Sequence, residues 1–402
     1  MSAALYRTIR PCPICGGHTA VALHEQRFAQ PEGAPLPSAY TVASCEACGA
    51  CFADTAAPQA AYDLHYQQYS KYDDPSLGSG GGATTLDRER LQETAMLIAS
   101  LPLPKGRASR VLDIGCAGGG LLSALAEQGF SQLGGMDPSP ACVLRVRNQG
   151  FDCQPGTLLA SSGKPAAPAH DLVILSHVVE HILDVGAAMQ AARQMLAPEG
   201  VCYIEVPDAG RYAADAFVPF YFFDSEHINH FDRASLANLA RTNGFSVLSE
   251  GIKDLRVDGG GLYPAVWSLF QTGADRLPPL SDLQLRSSLA TYIEASTWTS
   301  ESGPLSEIAS SGRPVLLWGA GQHAQRLLQN SPLARCNLLG VVDRDPGKQG
   351  LSLQGHSIRQ PELALKELPP DAVVVVASVL HGAQIAAALA QSGLPNRVVV
   401  AR

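Results

Sequence analysis

The stretch Val111 to Asp137, VLDIGCAGGGLLSALAEQGFSQLGGMD, restricts the possible folds more than any other part of the chain. Val-Leu-Asp-Ile reads as a buried strand and runs straight into the turn Gly115-Cys116-Ala117-Gly118-Gly119-Gly120. Leu121 to Gln128 carries apolar residues at helical spacing and stops at Gly129. A second strand signal ends in Met136-Asp137-Pro138. This is a β-α-β unit of an α/β fold, with glycines where backbone approaches a ligand and an acid at the tip of the second strand.

The spacing of the turn separates two classes of cofactor. A dinucleotide site uses G-x-G-x-x-G, which seats a pyrophosphate on the helix N-terminus. Here the order is Asp113-x-Gly115-x-x-Gly118-Gly119, with a carboxylate ahead of the first glycine. That charge repels a pyrophosphate and suits a cationic ligand carrying an amino group. The pattern resembles the class I S-adenosylmethionine-dependent methyltransferases. The resemblance implies that Asp113, Gly115, Cys116, Gly118 and Gly119 face the methionine half of the cofactor, and that Asp137, followed by Pro138, takes the ribose hydroxyls. The plainer reading is a tight turn in an α/β fold without a ligand.

At 402 residues the chain suggests two or three domains, and 46% apolar with 16% charged residues describes a globular chain. A net charge of −8 without a basic cluster argues against nucleic acid or an anionic membrane as a partner. No apolar run reaches the length of a membrane span, and MSAALYRTIRPCP lacks a signal peptide's apolar core, so the expected location is cytoplasmic. In such a chain the ten cysteines are expected to be thiols or metal ligands rather than disulfides. Cys12-Pro-Ile-Cys15-Gly-Gly and Cys45-Glu-Ala-Cys48-Gly are two C-x-x-C knuckles, each followed by glycine. Together they make a closed four-thiolate zinc site, structural because no coordination position stays open. Cys51 is read as a bystander, and His18 and His24 as weaker competitors for the ion.

Tyr62 to Tyr72 is dense in tyrosine and is followed by the glycine-rich loop Pro75 to Ala83. These tyrosines form either a lid over a polar substrate or the packing of a small module on a larger domain. A helix from about Thr85 to Ser100 leads into the core. Asp171 to His177 is a further buried strand, and S-H-V-V-E-H-I-x-D, starting at Ser176, resembles the fourth-strand signature of class I methyltransferases. Strand ends of such sheets bind ligands, which places Ser176, His177, Glu180 and His181 at the pocket mouth. His181 either touches substrate or packs on the sheet.

Phe220 to Phe231, FYFFDSEHINHF, surrounds a Glu226-His227 pair with aromatic residues, a setting suited to moving a proton. A metal on His227, His230 and Asp224 is the weaker reading. With this element on the page, the whole chain resembles the sugar C-methyltransferases acting on nucleotide-linked deoxyketosugars. These have a zinc module, a methyltransferase core, an E-H-x-x-x-F element and a C-terminal Rossmann-like domain. The resemblance implies His227 as catalytic base and Glu226 as the group orienting it. His181, with Asp224 or a tyrosine of the 62–72 segment, would hold the substrate oxygens. Asp224 stands where that family has tyrosine, and Asp258-Gly-Gly-Gly-Leu-Tyr263 stands for its H-G-G-S-L-R, losing an arginine suited to phosphate.

A helical spacer, Leu280 to Ser310, leads to a second strand–turn unit, Pro314 to Ala324, with the acid Asp343 after the next strand and a third strand at Asp371 to Ala377. G-x-G-x-x-A alone is a weak dinucleotide signal. The resemblance implies that this domain holds the substrate's nucleotide, with a working NAD site as the alternative. The family's turn lysine is missing, Gln325 and Arg326 occupying that region. The expected divisions are 1–75, 76–275 and 276–402, in a monomer or homodimer with a small-molecule substrate. Three other readings stand beside sugar C-methylation: an O- or N-methyltransferase of another small molecule, an NAD-dependent oxidoreductase, and a zinc-ribbon interaction protein.

Overall fold

The structure, a computed structural model, describes residues 4–68, 80–159, 170–214, 218–256, 261–379 and 381–401. Tyr69, Tyr72, most of the 75–83 glycine loop, most of the loop before Asp171, and Asp258 to Gly260 lie outside the described residues.

Four antiparallel strands open the chain: β1 (Leu5–Arg7), β2 (Thr19–Arg27), β3 (Ala39–Cys45) and β4 (Cys51–Asp54). The helix Gln59–Gln68 follows, and then Thr85–Ser100, whose first turn is capped by Thr84 accepting from the Asp87 N–H.

The central sheet contains β5 (Arg110–Ile114), β6 (Gln132–Asp137), β7 (Asp152–Pro155), β8 (His170–Ser176) and β9 (Leu196–Pro207). After the two-residue β10 (Asn229–His230) come β11 (Phe245–Arg256) and β12 (Leu262–Thr272). The spatial order is β11-β12-β9-β8-β5-β6-β7, with β12 antiparallel to both neighbours and the rest parallel. This is a Rossmann-like α/β core. Leu172 to Leu175 are wholly buried because helices cover both faces of a parallel strand.

The third sheet holds β13 (Pro314–Trp318), β14 (Asn337–Val342), β15 (Ser352–Leu353), β16 (His356–Arg359), β17 (Val373–Val376) and β18 (Arg397–Val400), in the order β15-β16-β14-β13-β17-β18. Only the β15–β16 hairpin is antiparallel.

Two features tie these parts together. β10 leaves the central region and pairs with β4, Asn229 opposite Phe52 and His230 opposite Cys51, as a fifth strand of the N-terminal sheet. The segment read as a spacer is two helices, Gln284–Ser302 and Pro304–Ser311, broken at Gly303-Pro304. It is more than a spacer: Leu285, Leu289 and Tyr292 form one apolar stripe buried against Tyr40, Tyr62 and Phe222.

Candidate active site and metal centre

The two cysteine knuckles meet. Cys12 and Cys48 Sγ are 3.6 Å apart, Cys15 and Cys45 Sγ 3.5 Å, and all four sulfurs lie within 4.8 Å of one another. A tetrahedral zinc with bonds of about 2.3 Å has sulfur–sulfur edges of about 3.8 Å, so the residues fit the ion. Thiol–thiol contacts push Cys12 far up and Cys45 far down, and lower Cys15 to about 7. Such a set is resolved by a cation that takes every sulfur as thiolate. The Gly17 N–H donates to Cys15 Sγ at 3.4 Å. Gly49 must be glycine twice over: its φ is +81°, and a Cβ there would lie 1.7 Å from the Asp282 carbonyl oxygen. Cys51 stays outside the cluster, with its thiol toward the Gly49 carbonyl, and His24 stacks on Phe220.

The glycine turn between β5 and its helix is held by the Gly115 N–H donating to Met136 O at 2.7 Å. Asp137 is buried at the tip of β6 and accepts from the Ala117 N–H at 2.8 Å and the Ser139 N–H at 2.9 Å. A carboxylate offers about four lone-pair sites, so a strand-tip acid can accept ribose hydroxyls as well as backbone N–H groups. A Cβ on Gly118 would lie 2.8 Å from Gly81 Cα, and Gly120 N–H donates to Gly80 O at 3.1 Å. Bare backbone thus packs on bare backbone over the turn. Asp87 holds this roof, accepting from Gly80 and Gly82 N–H at 2.7 to 3.0 Å. Asp113 lies beneath; burial, then the neighbouring Asp137, pushes its carboxyl up to about 8. An ammonium placed here would be matched by an ionised Asp113. The residues therefore fit adenosylmethionine.

Beyond the tip of β8, His177 sits at φ 56° with its N–H on Glu205 O. Its ring lies between two buried acids, Nδ1 3.2 Å from Glu180 and Nε2 3.5 Å from Glu205. Burial works to lower its pKa, but Glu180 and Glu205 outweigh it and raise the group. Glu205 is also bridged by Lys253 at 2.8 Å and Tyr203 at 2.5 Å, and stays well below the usual carboxylate range despite burial.

A short 3₁₀ turn, Val179–His181, brings Glu180 and His181 to the mouth. His181 stacks edge-on to His227, ring centres 4.9 Å apart, and its Nδ1 lies 2.8 Å from Tyr66 Oη and 2.9 Å from Glu226 O. The Glu226 carboxylate is met by His65 Nε2 at 3.2 Å and by the Gln322 amide. Asp224 faces the buried Arg326, Nη1 to Oδ2 3.6 Å, and its carbonyl accepts from Tyr40 at 2.8 Å. Arg326 also lies over the Tyr221 ring at 5.7 Å. Four segments far apart in sequence thus build one corner: 65–66, 180–181, 224–227 and 322–326.

His230, by contrast, is buried among Phe223 and Tyr212, where burial drops its pKa to about 3, away from His227 and Asp224. Sequence alone does not mark His65, Gln322 or Arg326 as site residues, and it reaches Tyr66 only through the tyrosine-rich segment as a whole. Gln322 and Arg326 carry one signal, four-residue spacing on a single helix face after a glycine turn.

A methyltransferase domain family model matches residues 86–250. Residues 86–250 are a methyltransferase domain. A ubiquinone biosynthesis O-methyltransferase of Azorhizobium caulinodans is 34% identical over 101 residues, 24% of this chain and 39% of the relative. The namesake from Cereibacter sphaeroides is 33% identical over 106 residues, 25% of this chain and 42% of the relative. The chain thus spans about two-fifths of the length of these curated relatives. Among solved structures, magnesium protoporphyrin IX methyltransferase from Synechocystis PCC 6803, with bound SAH, gives a TM-score of 0.41 at 16% identity, covering 54% of this chain and all of that one. Among the described residues no helix is long and apolar enough to cross a membrane.

Proposed function

We propose that the protein is an adenosylmethionine-dependent methyltransferase that methylates a carbon next to the ketone of a nucleotide-linked deoxyketosugar. The observation that supports this best is the paired His181 and His227 rings, set at the strand ends of the methyltransferase domain and backed by the buried Glu180. Adenosylmethionine supplies an electrophilic methyl, and Asp113, the Gly115–Gly119 turn and Asp137 would hold it. The chain's own task is to make the acceptor carbon nucleophilic. His227 takes the proton from the carbon beside the ketone, leaving an enolate whose oxygen is held by His181. Glu226, bracketed by His65 and Gln322, fixes the loop carrying His227, so the base arrives in register. Phe220, Phe222 and Phe223 are buried in the aromatic core that anchors the segment leading to His227.

The C-terminal unit would take the nucleotide. Asp343 accepts from the Ala320 N–H at 2.8 Å, with Lys348 Nζ 3.4 Å away, a cation suited to phosphate. A structural zinc on Cys12, Cys15, Cys45 and Cys48 completes the reading.

The test is proton exchange. Enzyme, ketosugar and S-adenosylhomocysteine in D₂O should place deuterium beside the ketone, and His227→Ala should not. The variant should keep cofactor affinity while turnover falls about 10²–10⁴-fold. Methyl transfer without exchange in the wild type would favour the second reading, an O-methyltransferase. The relatives' printed names point that way, and an oxygen acceptor needs no carbon acid.

A further inference from the structure

Glu180 is wholly buried, yet among the described residues its Oε2 has no hydrogen-bond partner. Its Oε1 is 3.2 Å from His177 Nδ1 and 3.8 Å from His181 Nε2. On the far side of the His181 ring, Nδ1 lies 2.8 Å from Tyr66 Oη and 2.9 Å from the Glu226 carbonyl oxygen. Nε2 thus faces the buried Glu180 carboxylate. One ligand atom each from Glu180, His181 and His227 lies within 4.8 Å of the other two. A buried carboxylate oxygen without a hydrogen-bond partner calls for positive charge beside it.

We propose that Glu180, His181 and His227 form a second divalent-cation site, separate from the four cysteines. Two imidazoles and one carboxylate select a first-row transition ion over magnesium or calcium. Bonds of about 2.0–2.2 Å need ligand atoms about 3–3.5 Å apart, within reach of a small rotation of the three side chains. The Nδ1 contact to Glu226 O is the outer hydrogen bond that orients a metal-bound imidazole. An ion here occupies the His227 lone pair, so it inhibits proton transfer. The inhibition rests on His227 acting as base; the binding does not.

The experiment titrates Co²⁺ into protein whose cysteine site is filled with zinc, read by visible absorption and calorimetry without substrate. One further equivalent is expected, with d–d bands and no thiolate charge transfer, displaced by Zn²⁺ and untouched by Mg²⁺. Glu180→Gln, isosteric, and His181→Ala should each weaken it about 10–100-fold or more. Zinc content and adenosylhomocysteine binding report that the variants fold. Methyl transfer should fall in step with Co²⁺ occupancy. No further equivalent, or equal binding by both folded variants, would overturn the site; activity unmoved at full occupancy would overturn His227 as the base and leave the site standing.

Discussion

The chain builds the same backbone device twice. In the central domain, the Ala117 N–H donates to Asp137 at 2.8 Å, and Asp137 also takes the N–H two residues on at 2.9 Å. In the C-terminal domain, the Ala320 N–H donates to Asp343 at 2.8 Å, and Asp343 takes the Asp345 N–H at 2.9 Å. Gly115 and Gly319 each donate to the preceding residue of the next strand's tip, both at 2.7 Å. What differs is the filling. Asp113, two residues before the first turn, has as its counterpart the buried Leu317, so only the first unit can match an ammonium. Lys348 reaches the second acid, its Nζ 3.4 Å from Asp343. The helix after the second turn sends Gln322 and Arg326 out of their own domain onto Glu226 and Asp224. A shared scaffold thus fixes where a ribose-like group can sit, and a few side chains decide which ligand it belongs to.

The comparison can be broken most severely at the zinc centre, which neither unit contains. Structural zinc supplies about 10–16 kcal/mol of apparent binding energy, so Cys12→Ser or chelation should unfold the N-terminal sheet. β10 loses its pairing partner, and displacement of His227 by about 1 Å is worth about 10²-fold in turnover. Adenosylhomocysteine affinity should hold, because the first unit is built locally; calorimetry on chelated protein checks this. Next is Arg326→Ala, which strips the cation from the partly buried Asp224. Breaking a buried pair costs about 3–5 kcal/mol, an upper bound at 3.6 Å, and denaturant midpoints against Asp224→Asn/Arg326→Ala give the coupling.

The two acids provide the third test. Asp137→Ala should weaken adenosylmethionine by about 1–3 kcal/mol, and Asp343→Ala should leave it unchanged while raising KM for the proposed nucleotide-linked acceptor. Equal effects of both on the cofactor would undo the division of labour. The smallest effect is a slope. Asp113 is protonated below about 8 in the cofactor-free chain, and a cationic ligand requires it ionised. Affinity should therefore rise with pH up to about 8, by at most about tenfold per unit, with the slope gone in Asp113→Asn. The sign is opposite for folding: the native state keeps a proton the unfolded chain has lost, so cofactor-free stability falls between about pH 4 and 8.

The same contrast explains what could be read from sequence. The first unit is contiguous, Asp113 to Asp137, and its turn, helix and strand end are all encoded within that stretch. The cysteine knuckles are equally legible, because two short turns need only meet. The corner at His227 is different. Its histidine and glutamate stand out amid aromatics, but the partners of Glu226 are His65 and Gln322, well over half the chain apart. Local periodicity holds no record of such long-range pairing. For the same reason the helix Gln284–Ser302 passes for a spacer, since its stripe of Leu285, Leu289 and Tyr292 is meaningful only beside Tyr40 and Tyr62.

The fifth strand of the N-terminal sheet has a consequence for synthesis. β4 ends at Asp54, and β10, which covers its edge, begins at Asn229. At about 5–20 residues per second, the ribosome leaves that edge bare for roughly 9–35 s after it emerges. An uncovered strand rich in apolar residues, Cys51-Phe52-Ala53, is a template for pairing with another nascent chain. Yield in cells should thus depend on how fast the central domain is translated, and slow codons between Thr55 and Ile228 should divert more chains into aggregates than the same codons placed after Phe231.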